Sequence, residues 1–376
     1  MVNWWGPRAV IEPEIKHRAR RPGRAVAAVG AELLHRSRIL TILSAVRSRK
    51  ESASFPFTIL LYHRINDDHD PFFPALSVAA FEAQMDHLAR RFHVVPLTDL
   101  VDRIQRGAPI SPRTIVVTFD DGYRDNLLCA HPVVQKFSLP VTLFVATGFV
   151  ETGKVMWNDQ VAWAIKHSSA ERFEFETAVG RSVFLLRTVQ QRVSALETVL
   201  EELKGLDESG KQAWVERIRH ELNPNPAEPE TLMLDWKDLR TLRKGGWNIG
   251  SHTVNHPILT AVKPSIARAE LHESKRILEI ELEQPVTLLA YPNGKRRDFS
   301  DAVKTLAREC GYKAAVTTLG GFGNLGIDLF EMGRQSPWED HLSSFAVKMD
   351  WSYLRAPILQ RRNSVRQPAS RRIETR

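Results

Sequence analysis

The stretch Arg113-Thr114-Ile115-Val116-Val117-Thr118-Phe119-Asp120-Asp121-Gly122-Tyr123 decides how the chain folds and where its chemistry lies. A run rich in β-branched residues breaks off into two adjacent carboxylates and a glycine, the pattern of a buried strand that delivers acids to a sheet edge. Neighbouring residues on a strand face opposite ways, yet Gly122 permits the chain to turn at the strand end, so both carboxylates can face one cleft. Two acids so close repel, and a divalent cation would keep both ionised and give them separate roles. Asp-Asp-Gly is equally ordinary turn chemistry, so this stretch alone leaves a plain strand end as a second reading.

Histidines break the tie. In Trp247-Asn248-Ile249-Gly250-Ser251-His252-Thr253-Val254-Asn255-His256-Pro257 a second strand-like run ends in two imidazoles four residues apart. A helix would put both on one face, but Gly250 before and Pro257 after favour a strand end and loop. Either geometry can hold one ion. A histidine pair at this spacing is more often structural than ligating, and it is the union with the Asp-Asp-Gly strand end that points to a metal centre.

Together these residues resemble the polysaccharide deacetylases of the NodB-homology type, carbohydrate esterase family 4. Thr118-Phe119-Asp120-Asp121-Gly122 looks like the first motif of that family and His252-Thr253-Val254-Asn255-His256 like its second, in the right order. The resemblance runs from about Thr58 to Phe345. It implies that Asp120 is the general base that takes a proton from the attacking water, while Asp121, His252 and His256 hold a metal, usually zinc. Three protein ligands leave a position open for water, whose pKa such a metal lowers from about 16 to about 7.

Leu288-Leu289-Ala290-Tyr291-Pro292-Asn293-Gly294 resembles a Tyr-Pro-x-Gly variant of the third motif. The resemblance implies that the Tyr291 backbone N–H binds the oxyanion, and it puts Pro292 at the substrate. It departs from the better-known pattern, in which an arginine precedes the proline and orients the base, so the brace of Asp120 is unassigned. The C-terminal Leu-x-His-like motif that supplies the general acid is also missing, because Val316-Thr317-Thr318-Leu319-Gly320-Gly321 leads into a glycine-rich segment without histidine. Thr58-Ile59-Leu60-Leu61-Tyr62-His63 reads as an apolar strand ending in Tyr-His, similar to the opening strand of exopolysaccharide deacetylases, which makes His63 the expected acid ahead of His341. Trp157 and Asp159, in Met156-Trp157-Asn158-Asp159, are expected to line the sugar groove; the start of a surface helix explains the same residues.

Around these motifs, strands alternate with helices, as a parallel sheet requires. Helices are expected over 79–92 with Ser77 as N-cap, 98–106, 123–137, 265–282 and 299–310, and strands over 94–97, 141–145, 286–290 and 314–317. Active residues at strand C-terminal ends are what an α/β barrel provides, and the resemblance implies a distorted seven- or eight-stranded one over residues 55–354. Residues 167–230 carry no catalytic signature and read as a mainly helical insertion, a hairpin around Gly180 followed by helices over 189–203 and 212–222, forming one wall of the groove.

The 376 residues carry a net charge of +8, but its placement is uneven. Residues 1–50 hold 11 Lys/Arg against 3 Asp/Glu, and residues 355–376 hold 7 against 1, so the body between is net acidic. Residues 1–54 read as a basic extension with one helix over 25–46, suited either to packing on the barrel or to contact with an anionic membrane; residues 355–376 read as a disordered basic tail. No clear signal peptide or membrane span appears, which favours the cytoplasm, with the inner membrane face as an option. Two cysteines make no disulfide framework, and no nucleic-acid fold accompanies the basic tails. The expected activity is hydrolysis of N-acetyl groups on N-acetylglucosamine-type residues of an oligo- or polysaccharide. O-acetyl esterase, cyclic imide hydrolase and carbohydrate-binding pseudoenzyme stand as alternatives.

Overall fold

A computed structural model describes residues 55–177, 180–226 and 232–350. The expected helix over 25–46 and the basic tail lie outside the described residues.

The strands β1 (Thr58–Tyr62), β3 (Thr114–Phe119) and β4 (Val141–Val145) are buried along their whole length. That burial on both faces explains why their sequences run apolar without alternation. With β7 (Trp247–Ser251), β8 (Leu288–Ala290) and β9 (Ala314–Val316) they form a parallel sheet in the order β1-β3-β4-β7-β8-β9, and β2 (His93–Val94) pairs with the start of β3. Past β9, Met332 bridges Val316 and Gln335 bridges Leu60, both in parallel sense, so the curled sheet is carried back to β1. The result is the expected α/β barrel architecture.

Alternate residues separate two cores. Leu60, Val117, Leu143, Ile249 and Leu289 pack outward against the helices, among them α1 (Val78–Arg91), α3 (His131–Phe137), α7 (Trp236–Lys244), α8 (Pro264–Leu282) and α9 (Asp301–Glu309). Ile59, Val116, Phe144, Ala290 and Val316 fill the interior with α2 (Leu97–Gln105). Burial of each Val, Leu, Ile or Phe side chain among them contributes about 1.5–3 kcal/mol. Gly250 in β7 has a packing reason, because a Cβ there would sit 2.6 Å from the Phe144 ring.

Most expected elements form within a few residues of their expected ends. Ser77 caps α1 by accepting from the Ala80 N–H, and Asp235 closes a capping box on α7. The helix expected over 123–137 is the exception. The Arg124 N–H donates to Leu232 O, and a π-turn over Asn126–Ala130 precedes α3. The Asp125 carboxylate is spent on Arg64 and Asn66, so this first turn anchors a neighbouring loop.

The insertion contains the hairpin β5 (Arg172–Thr177) and β6 (Gly180–Leu185), followed by α5 (Val189–Leu203) and α6 (Glu208–Leu222), the last starting four residues earlier than expected. Together with α4 (Trp157–His167) and Phe72 it encloses its own core, including Trp157, Val161, Phe175, Val199, Val215 and Ile218. The insertion also reaches the barrel mouth, where Glu201 of α5 pairs with Arg297 at 2.9 Å and with Lys295 at 3.7 Å. No helix among the described residues is long and apolar enough to cross a membrane.

Candidate active site

Val116, Thr118 and Asp120 share the inward face of β3 and its extension, so Asp120 enters the barrel mouth by strand parity alone. Asp121 would face outward by the same rule. It turns inward because its own backbone is left-handed, with φ 76°, followed by Gly122 at φ 93°. The turn therefore starts one residue before the glycine expected to permit it, in a residue type that tolerates this conformation.

Asp121 meets the two histidines. Its Oδ1 lies 3.4 Å from His252 Nε2 and 3.6 Å from His256 Nε2. One ligand atom from each of the three residues falls within 4.8 Å of the others, a group that could hold a metal ion. The donor set suits one. The Nδ1 of His252 is 2.8 Å from Ala290 O; a hydrogen bond donated there fixes the tautomer and leaves a bare lone pair on Nε2 facing the carboxylate. His256 sits on a turn, with φ 55° and its N–H donated to Thr253 Oγ1 at 3.1 Å. The pair thus comes from a strand end and loop.

A residue that the motifs did not reveal holds that loop. Glu270 of α8, itself buried, accepts from the Val254 and Asn255 N–H groups and from Asn255 Nδ2, each at 2.8 Å.

The brace of Asp120 is Arg334. Its Nη1 lies 2.7 Å from Oδ1 and its Nη2 2.6 Å from Oδ2, while its Nε donates to Thr317 O at 3.0 Å. Arg334 reaches in from the segment that returns the sheet to β1, far in sequence from the third motif, where the family pattern puts its arginine. A lone arginine in an irregular stretch carries no sequence signal of this role.

Electrostatics follow from these contacts. Burial alone would push the Asp120 carboxyl up, but Arg334, then His252 and His63, outweigh it and hold it below the usual carboxylate range. Asp121 is also buried, which pushes its carboxyl up, but the neighbouring His252, His63 and His256 outweigh that and hold it well below the usual carboxylate range. In the metal-free site the imidazoles diverge. Burial opposes charge on His252, yet Asp120 and Asp121 raise its pKa; His256 falls to about 3 through burial and the neighbouring His252, with Lys211 adding to the fall.

His63 follows β1 directly and lies close enough for its charge to act on both aspartates. Its ring stacks toward Trp338 with centroids 6.4 Å apart. His341 is exposed.

Three expected site residues need correction. The Tyr291 N–H is not free for an oxyanion, because it donates to Val316 O at 3.1 Å; its ring stacks on Phe299 and its hydroxyl donates to Phe330 O at 3.1 Å. Pro292 is buried at the strand exit, its carbonyl taken by the Gly294 N–H at 2.7 Å. The next amide, that of Asn293 at φ 58°, has no acceptor among the described residues. Trp157 belongs to the insertion core, with Lys211 Nζ 5.0 Å over its ring. Asp159, two residues along α4, does line a cleft and accepts from Tyr123 Oη at 2.8 Å.

Residues 107–315 match the family described as polysaccharide deacetylase. A Bacillus subtilis (strain 168) protein whose name assigns it to the polysaccharide deacetylases is 20% identical over 278 residues, covering 73% of this chain and 69% of its own length. The fold matches that of a Streptococcus pyogenes deacetylase, PplD, solved with acetate, at TM-score 0.51 and 19% identity over 75% of this chain and 92% of the other. It also matches IcaB from Ammonifex degensii at TM-score 0.50 and 17% identity, covering 78% and 98%.

Proposed function

The chain belongs to the polysaccharide deacetylase family, a family of hydrolases acting on acetyl groups, and from that premise we propose that it is a metal-dependent enzyme removing N-acetyl groups from N-acetylglucosamine-type residues of an oligo- or polysaccharide. One observation carries the reading: a carboxylate gripped by a buried arginine stands next to an Asp/His/His ligand group at the same barrel mouth.

Asp121, His252 and His256 would hold the cation, zinc being the best match to two imidazoles and a carboxylate. When bound, it would polarise the substrate carbonyl and lower the pKa of water to about 7. Asp120 takes the proton from the attacking water. Arg334 keeps that carboxylate ionised and fixes its direction, so one lone-pair face is left for the water. We assign the oxyanion donor to the Asn293 N–H in place of that of Tyr291. His63 gives a proton to the leaving amine, a step worth about 10²- to 10⁴-fold. Its position against both aspartates supports this role.

Acetate release from acetylated chito-oligosaccharides and O-acetylated xylan, with metal content measured on wild type and Asp120→Asn, tests the reading. Wild type should release acetate from the amide substrates, and Asp120→Asn should keep the metal and lose turnover. A protein that binds no metal, or binds it and hydrolyses nothing, returns the imide-hydrolase and pseudoenzyme readings to the front.

A further inference from the structure

The loop that carries the two histidines is held in a conformation its residues do not favour. Thr253 stands at φ 66° and His256 at φ 55°, both left-handed, and a β-branched residue such as Thr253 rarely adopts that region. Such backbone persists only where surrounding contacts over-determine it. Here the contacts come from two sides. From the turn after β4, the Thr147 and Gly148 N–H groups donate to Thr253 O at 3.1 Å and to Val254 O at 2.8 Å. From α8, Glu270 receives the Val254 and Asn255 N–H groups on Oε2 and Asn255 Nδ2 on Oε1.

One turn further along α8, Ser274 shares a buried hydrogen bond of 2.8 Å with Ser251, whose Oγ accepts the Thr253 N–H at 3.2 Å. Glu270 and Ser274 are four residues apart and so share one helix face. Between them, Glu270 directly and Ser274 through Ser251, they hold the N–H groups of Thr253, Val254 and Asn255, the whole span between the two histidines. The histidines differ in what else holds them. The His252 ring is fixed by Ala290 O, whereas the buried Nδ1 of His256 has no hydrogen-bond partner. The direction of the His256 ring therefore depends on the backbone of this loop. Glu270 is also buried and forms no ion pair among the described residues, so a cation at the neighbouring ligand group would meet its charge uncancelled.

We propose that Glu270 and Ser274 are positioning residues for the metal. They hold the strained loop in the shape that aims His256 Nε2 at Asp121, and the Glu270 charge adds to the attraction for the cation. The inference rests on the reading of Asp121, His252 and His256 as ligands, and it is measured on metal binding apart from turnover.

The experiment is zinc affinity, by calorimetric competition with a chelator, on wild type, Glu270→Ala, Glu270→Gln and Ser274→Ala. Losing a group that orients metal ligands costs about 10- to 100-fold in affinity, which is the loss expected in Glu270→Ala. Glu270→Gln keeps the size of the side chain and one acceptor oxygen but no charge, and should lose severalfold, as should Ser274→Ala. Cobalt(II) in place of zinc reads the geometry, because its visible absorption is strong in a four-coordinate site and weakens as water adds to the coordination shell. Saturated with cobalt, Glu270→Ala should absorb more weakly than wild type. A merely structural role would lower the melting temperature of the metal-free protein and leave both zinc affinity and cobalt spectrum as in wild type; that result in Glu270→Ala and Ser274→Ala overturns the proposal. Wild type that binds zinc but releases no acetate from any acetylated sugar, with the loss in Glu270→Ala as expected, upholds the positioning role and sinks the deacetylase reading. Wild type that binds no zinc overturns both.

Discussion

Arg334 holds both carboxylate oxygens of Asp120, with Nη2 2.6 Å from Oδ2, and neither side chain is exposed beyond 3%. A pair buried so completely gains less from attraction than it would lose by separation, because a charge left alone has no solvent to turn to. Arg334→Met should cost roughly 3–5 kcal/mol of stability. Its effect on pH dependence follows from sign. The base works only when ionised; Arg334 opposes the upward push of burial on Asp120, so its removal raises that pKa and moves the acid limb of kcat/KM to higher pH. Arg334→Lys should restore most of the limb while still losing about tenfold or more in rate, since an ammonium cannot hold both oxygens in one plane. A pH–rate profile of the two variants checks this; an unmoved acid limb in Arg334→Met would show that Asp120 does not set it.

Metal removal separates base from ligands. Chelation should abolish acetate release and lower the melting temperature, because an ion that binds the folded chain at 100 times its Kd stabilises it by about 2.7 kcal/mol. His252→Ala, His256→Ala and Asp121→Asn should lose bound metal together with turnover. Asp120→Asn should retain the metal and lose turnover about 10²- to 10⁴-fold. Metal analysis beside each assay decides between the two classes.

The contrast between Asp121 and Arg334 shows where sequence stops informing. Asp120, Asp121, His252 and His256 lie within short motifs at strand ends, where strand parity aims Asp120 and the turn that begins at Asp121 brings that residue to the same side. Arg334 is separated from Asp120 by 214 residues, and Glu270, on a helix rich in charge, from Asn255 by 15. Their roles depend on barrel closure and helix docking, which no local periodicity encodes. Tyr291 failed for a related reason. Whether its N–H is free depends on how far the ladder with Val316 extends, and a strand end is the least determined part of a strand. Trp157 and Trp163 lie six residues apart on α4, and only the position of the insertion core decides which of them faces the cleft.

Asp159 makes stability depend on pH in the unusual direction. Burial raises its carboxyl to about 7 against the opposing pull of Arg64 and the Tyr123 hydroxyl. The unfolded carboxyl ionises near 4, so between about 4 and 7 the folded state holds a proton that the unfolded state has released. Stability therefore falls as pH rises through that window and levels off above it, by roughly 2–4 kcal/mol for a group so buried. Asp159→Asn keeps an acceptor for Tyr123 Oη but cannot ionise. In chelated protein its melting temperature should gain on wild type between pH 5 and pH 8. An equal difference at both pH values would mean that the carboxyl is ionised throughout.

His63 can be tested by the substrate's own leaving group. An amine leaves only when protonated, whereas the phenolate of an activated aryl acetate departs without help. If His63 is the acid, His63→Gln should reduce kcat on N-acetylated sugars by about 10²-fold or more and should have a much smaller effect on an aryl acetate hydrolysed at the same site. Equal losses on both substrates would assign His63 to water activation or to charge balance around Asp120 and Asp121, on which its charge also acts. The pH profile separates these two outcomes. Loss of an acid removes the basic limb from the amide reaction alone, while loss of a charge that steadies the aspartates moves the acid limb for both substrates.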